Sequence, residues 1–166
     1  MLFSDLTVTA SIEMESNMVL IEETIALNLP IAEVFAFVAD QTNAPAWQKG
    51  LLSVQKTTEG PVGVGTTHAF ERIIMGRKGT ASNVYTQYVP QELVAFQSTS
   101  GPLQFHALYR TTPRGSGTKL TCEMELESGR GLSGLMLPLI AKIIRKEMKA
   151  NFLTLRDVLE DPKRHC

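Results

Sequence analysis

Hydrophobic and polar positions alternate with a period of two through most of this chain, and a helical period takes over only near its C-terminus. In Val19–Leu29, the side chains of Val19, Ile21, Ile25, Leu27 and Leu29 fall on one side. Glu22, Thr24, Ala26 and Asn28 fall on the other, which is the pattern of a half-buried strand. Glu23 puts one carboxylate on the apolar side. Pro30 follows, suited to a first helical position where its missing N–H is no loss. Ile31–Asp40 then carries the helical stripe Val34, Phe35, Val38. Thr42–Gln48, which contains Pro45 and Trp47 and is stopped by Gly50, predicts a second short helical turn.

From Leu51 onward the pattern predicts strands at Leu51–Thr58, Thr66–Met75, Lys78–Val89, Glu92–Thr99, Leu103–Thr112 and Thr118–Glu127. Gly- and Pro-rich turns separate them, and no helical pattern that could serve as a crossover intervenes, so the strands are expected to pair antiparallel. Leu103, Phe105, Ala107 and Tyr109 share an apolar side, as do Leu120, Cys122, Met124 and Leu126, whereas Gln104, His106 and Arg110 face water. Thr66–Met75 mixes the two characters. His68, Phe70, Arg72 and Ile74 lie on one side, with Ala69, Glu71 and Ile73 on the other, as in a strand that lines a partly polar cavity.

Over Gly131–Glu160, Met136, Ile140, Ile143, Ile144, Met148, Phe152, Leu155, Val158 and Leu159 share one broad arc at the helical period. Lys142, Arg145, Lys146, Lys149, Arg156 and Glu160 lie opposite, and Glu147 and Asn151 interrupt the apolar arc one turn apart. The pattern predicts one long helix, kinked at Pro138 and loosened by Gly131 and Gly134. The fold class expected is α+β: seven antiparallel strands in one sheet curved around this helix, with two short helices after the first strand. A mostly apolar pocket is expected where sheet and helix diverge. Residues 18–160 form one domain, residues 1–17 a poorly ordered extension (with Met14 or Met18 as rival starts), and residues 161–166 a tail.

A length of 166 residues with 43% apolar composition suits a single core. Net charge of −1 argues against a nucleic-acid partner, and the helix cations read as a solvated face. Two distant cysteines, Cys122 and Cys166, make no disulfide framework, which points to a cytoplasmic setting. No transmembrane stretch or signal peptide is expected. His68, His106 and His165 are too scattered for a metal site, and no cofactor motif occurs. Oligomeric state is left open between monomer and homodimer.

Leu27-Asn-Leu-Pro-Ile-Ala-Glu-Val-Phe-Ala-Phe-Val-Ala-Asp40, with Trp47 shortly after, resembles the opening of the START-like, or SRPBCC, superfamily. Gly63-Val-Gly-Thr66, the Gly76 turn, Pro90-Gln-Glu92 and Gly117-Thr-Lys-Leu-Thr121 fall where that superfamily turns, and Asn151–Glu160 is similar to its helix ending. The polyketide cyclase/dehydrase-like branch is nearest. The resemblance implies a helix-grip fold enclosing a hydrophobic cavity. It also implies a hydrophobic or amphipathic small-molecule ligand (a lipid, polyketide or similar) and no cofactor.

The expected ligand-contacting set is Trp47, Phe70, Arg72, Tyr85, Phe105, Tyr109, Ile140, Ile144, Glu147 and Asn151. Trp47 reads first as a packing anchor. The alternative is a cyclase or dehydratase working by general acid–base catalysis, which needs a proton donor and acceptor in a pocket dry enough to shift their pKa values. Its candidates are Glu147, Glu23, His68 and Tyr109, with Glu71 and Arg72 beside His68.

Overall fold

A computed structural model describes residues 18–74, 76–128 and 134–165. Strand β1, Met18–Leu27, leads through Pro30 into helix α1, Ile31–Ala39, and a 3₁₀ helix, Gln41–Ala46. Six strands follow: β2 Leu51–Lys56, β3 Thr67–Ile74, β4 Arg77–Val89, β5 Leu93–Ser100, β6 Gln104–Arg114 and β7 Gly117–Glu127. Helix α2, Leu137–Leu159, ends the domain, with a short 3₁₀ turn at Pro162–His165. All seven strands form one antiparallel sheet in the order β1-β7-β6-β5-β4-β3-β2. The fold is the expected α+β helix-grip. The extension at residues 1–17 and the loosening expected at Gly131 lie outside the described residues.

The inward side chains are those the alternation selects. Ile21, Ile25 and Leu27 of β1, Ala107 and Tyr109 of β6, and Leu120, Cys122 and Leu126 of β7 are buried. Leu137, Ala141, Met148, Phe152, Leu155 and Leu159 of α2 close the core over them. Each large apolar side chain so buried contributes roughly 1.5–3 kcal/mol. The junction of β1 with β7 is tight: a Cβ on Gly117 would stand 2.4 Å from the Leu27 carbonyl oxygen. β4 is bent by register shifts at Ser82/Asn83 and Tyr85/Gln87, and such bulges re-aim the side chains next to them.

The helix departs from expectation in two ways. It begins at Leu137, so Pro138 lies in its first turn and interrupts no helical bond; the kink expected there does not occur. Its buried stripe is also narrower than the sequence arc, because Met136 and Ile143 are exposed. α2 lies chiefly against β1 and less against β7, so its flank toward β3 is less closely backed by the sheet. Polar contacts fix the helix along that path. The Asn151 Oδ1 accepts from the Lys49 backbone N–H at 3.0 Å, and the Glu160 Oε1 accepts from the Asn28 backbone N–H at 2.8 Å.

Candidate functional site

Across the concave face of the sheet runs a chain of rings. His68 and Tyr85 have centroids 5.2 Å apart, Tyr85 and Phe96 5.9 Å, Phe96 and Tyr109 5.9 Å, and Tyr109 and Phe152 6.5 Å. Trp47 stands 6.2 Å from both Tyr109 and Phe152, and Phe105 meets Phe96 edge-on. Strand alternation on β3, β4, β5 and β6 aims these side chains to one side, and Phe152 reaches them from α2. The centre of the expected pocket is therefore filled by rings in mutual contact. Concavities open elsewhere among the described residues, two of them on other parts of the sheet. One, about 330 Å³, lies at the β5–β6 turn between Gln97–Gly101 and Glu127, and the other is on the outer face beside Ser53, Gln55, Ala69 and Thr80.

At the β3 end of the ring chain lies a buried polar niche. His68 is completely buried, and neither ring nitrogen has a hydrogen-bond partner among the described residues. Directly opposite it in register is Asn83, also buried, whose Nδ2 donates to Gln41 Oε1 at 2.9 Å while its own Oδ1 has no partner. Gln41 Nε2 likewise has none. Buried polar groups are nearly always hydrogen-bonded, and an unmet one costs about 1–3 kcal/mol. Four such atoms in one place form a buried set of hydrogen-bond donors and acceptors.

Local structure explains why the niche forms. α1 stops at Ala39 because Asp40 turns its side chain to cap the next helix, accepting from the Thr42 backbone N–H at 3.0 Å. The Tyr85 hydroxyl donates to the Ala39 carbonyl, which pins the end of α1 and Gln41 above β4. Burial holds His68 below the ordinary imidazole range; Asp40 opposes that shift and Lys56 adds to it. The ring is thus neutral at neutral pH, able both to donate and to accept.

Arg72 and Glu147 face each other across the open side between β3 and α2, their charged atoms 3.9 Å apart. Ile140 and Ile144, both half-buried, lie on the same flank of the helix as Glu147, and Phe70 is buried on β3 next to Arg72. Trp47, Tyr85 and Tyr109 are buried, and Phe105 is half-buried. The expected ligand-contacting residues thus divide between the ring chain and this flank.

The four acid–base candidates are dispersed. Glu23, half-buried on β1, lies opposite Cys122 in register, five strands from His68 in the sheet order. Tyr109 lies two rings beyond Tyr85 along the chain and sits beside Cys122, its register partner. Burial pushes the Tyr109 hydroxyl well up and the Cys122 thiol up to about 12. Glu147 pairs with Arg72, and Glu71 points outward to Lys78 at 3.0 Å. No hydrogen bond joins any two of the four among the described residues. Asn83 and Gln41 were not anticipated. Asn83 carried a usable signal, a lone polar residue in the inward set Ala81, Asn83, Tyr85; Gln41 comes close only because α1 folds back over the sheet. No group of His, Cys, Asp or Glu able to hold a metal occurs among the described residues.

The sheet order, the two short helices and the long closing helix define the START-like class. Residues 18–160 match the family described as polyketide cyclase/dehydrase and lipid transport, and the chain belongs to that family. Solved structures share the fold at low identity. The protein TTHA0849 from Thermus thermophilus has a TM-score of 0.73 at 16% identity, covering 85% of this chain and 97% of its own. A START superfamily protein from Mycobacterium smegmatis has a TM-score of 0.73 at 14% identity, covering 87% and 97%. The Zhui aromatase/cyclase from Streptomyces sp. R1128 has a TM-score of 0.68 at 16% identity, covering 89% and 95%. Among curated protein sequences no relative matches.

Proposed function

We propose that this chain binds a hydrophobic or amphipathic small molecule, a lipid, polyketide or similar, between sheet and helix. The observation that carries the reading is the niche of His68, Asn83 and Gln41 at the end of an aromatic wall. A ligand whose apolar body parts the contacts between Tyr85, Phe96 and Tyr109, with one uncharged hydroxyl or carbonyl in the niche, would satisfy the unpartnered atoms. A charged head would not suit a site whose histidine burial keeps neutral. The ligand would enter on the flank of Arg72 and Glu147, where α2 is less closely backed by the sheet. Family membership supports the same reading. A cyclase or dehydratase chemistry is the second reading that the family supports, but the dispersal of Glu23, His68, Tyr109 and Glu147 favours binding.

The test has two arms. Native mass spectrometry of protein purified from its own host should show a retained small molecule. Titration with the uncharged apolar dye N-phenyl-1-naphthylamine should change Trp47 fluorescence, because Trp47 adjoins Tyr109 and Phe152. No retained molecule together with a silent Trp47 would refute the reading.

A further inference from the structure

The first turns of α2 carry an apolar surface that no element among the described residues covers. Leu139 and Ile143 are 57% and 50% exposed, and the turn before them adds Leu135 at 92% and Met136 at 44%. Large apolar residues grouped this way mark a surface that meets something. Lys142 and Lys146 are interleaved with them on the same face, and Arg145 and Lys149 flank it; all four cations are exposed. Leu137–Lys146 contains no Asp or Glu, and the one acid in the following turn, Glu147, is turned aside to Arg72.

Charge is segregated on the opposite side of the molecule. Glu22, Glu123, Glu125 and Glu127 alternate with the inward residues Ile21, Cys122 and Leu126, and so project from the convex face of β1 and β7. Glu22 and Glu123 even stand directly opposite one another in register. A chain of net charge −1 therefore presents a cationic, apolar helix face on one side and, on the other, a β1–β7 face where four glutamates outnumber the one cation of those strands' outward side, Lys119.

We propose that the N-terminal half of α2 docks on the surface of an anionic phospholipid bilayer. Leucine and isoleucine side chains enter the acyl boundary while the interleaved lysines meet lipid phosphates, the arrangement of an interfacial amphipathic helix. The acidic convex face, repelled by the same surface, orients the molecule helix-down. No helix among the described residues is long and apolar enough to cross a membrane, so the contact is superficial. The inference does not depend on what the chain binds inside.

The test is flotation of the full chain with phosphatidylcholine vesicles, with and without phosphatidylglycerol. Binding is expected to the anionic vesicles alone and to weaken as salt is raised. Leu139→Asp should abolish it, and Lys142→Glu with Lys146→Glu should lower partitioning by at least about tenfold. All are surface substitutions, so unchanged thermal midpoints certify their folds. Absence of wild-type flotation at physiological ionic strength would overturn the proposal. So would equal binding to both vesicle types, or a concentration-dependent dimer, abolished by Leu139→Asp, in a protein that ignores vesicles.

Discussion

Arg72 on β3 and Glu147 on α2 form an ion pair at 3.9 Å, with side chains 33% and 46% exposed, linking the helix to a strand it packs against less closely than β1. Water and salt screen such a pair, and exposed pairs contribute about 0–1 kcal/mol. Its effect is positional: it spans the side of the domain where sheet and helix stand apart. Glu147→Gln is therefore expected to change unfolding free energy by less than about 1 kcal/mol in urea titrations. The same variant should speed uptake of the fluorescent dye in stopped-flow traces followed through Trp47. A large stability loss would show that the pair is structural.

His68 makes stability depend on pH with a definite sign. Its folded pKa lies below the ordinary value of 6.5, chiefly because burial penalises the imidazolium. The unfolded chain then binds the extra proton more readily, so the contribution is full above pH 6.5 and declines as pH falls from there through the folded value. His68→Phe should flatten that acid limb in thermal denaturation. At neutral pH it should be neutral or stabilising, since it removes two unmet buried nitrogens. Unchanged acid sensitivity in the variant would assign the limb to other groups.

Cys122 is buried on β7 beside Tyr109, and burial raises its thiol to about 12. Thiolate is the reactive form, so native protein carrying Cys166→Ser should be alkylated by iodoacetamide only as fast as it unfolds. Mass spectrometry would show full modification in denaturant and almost none without it. Rapid native labelling would mean that β7 opens locally.

Phe152 joins helix to sheet by contacting Tyr109 and Trp47. Phe152→Ala should cost about 3–5 kcal/mol, read from urea titration, with a change in Trp47 emission. Gly117→Ala tests a different constraint, because its methyl would press on the Leu27 carbonyl oxygen at 2.4 Å. It too should destabilise, although it removes no contact. A neutral result would show that β1 and β7 can separate slightly at that end.

Period-two alternation together with the Gly/Pro turns located every strand, with ends displaced by only a few residues; it is cleanest where a strand buries one face and wets the other, as β1 and β7 do, and blurred in β5, where Val94, Ala95 and Phe96 are all buried. The family resemblance supplied the sheet's curvature around the helix. Helix details were less legible. Ile143 and Met136 fit the apolar arc, yet whether an arc is buried depends on how far the sheet extends beneath it, and that is a tertiary matter. Pro138 looked like a kink only because the helix start could not be located among Gly131, Gly134 and Met136. In the site, His68 was visible as a polar residue among apolar neighbours. Its partners were not: Asn83 is brought opposite it by strand register and Gln41 by the fold-back of α1. Neither relationship has a period in the sequence.

The pairing of β1 with β7 also sets a timetable. Met18 aligns with Glu127 and Leu27 with Thr118, so β1 finds its neighbour in the sheet only when the last of the described strands has emerged from the ribosome. At ordinary elongation rates that interval is on the order of ten seconds, during which Ile21, Ile25 and Leu27 have no permanent cover. Contacts so distant in sequence also slow the final closure. The nascent chain can assemble β2 to β6 as a meander, but β1 cannot take its place in the sheet until β7 has been made. Over that interval the apolar side of β1 is a surface that a chaperone would shield.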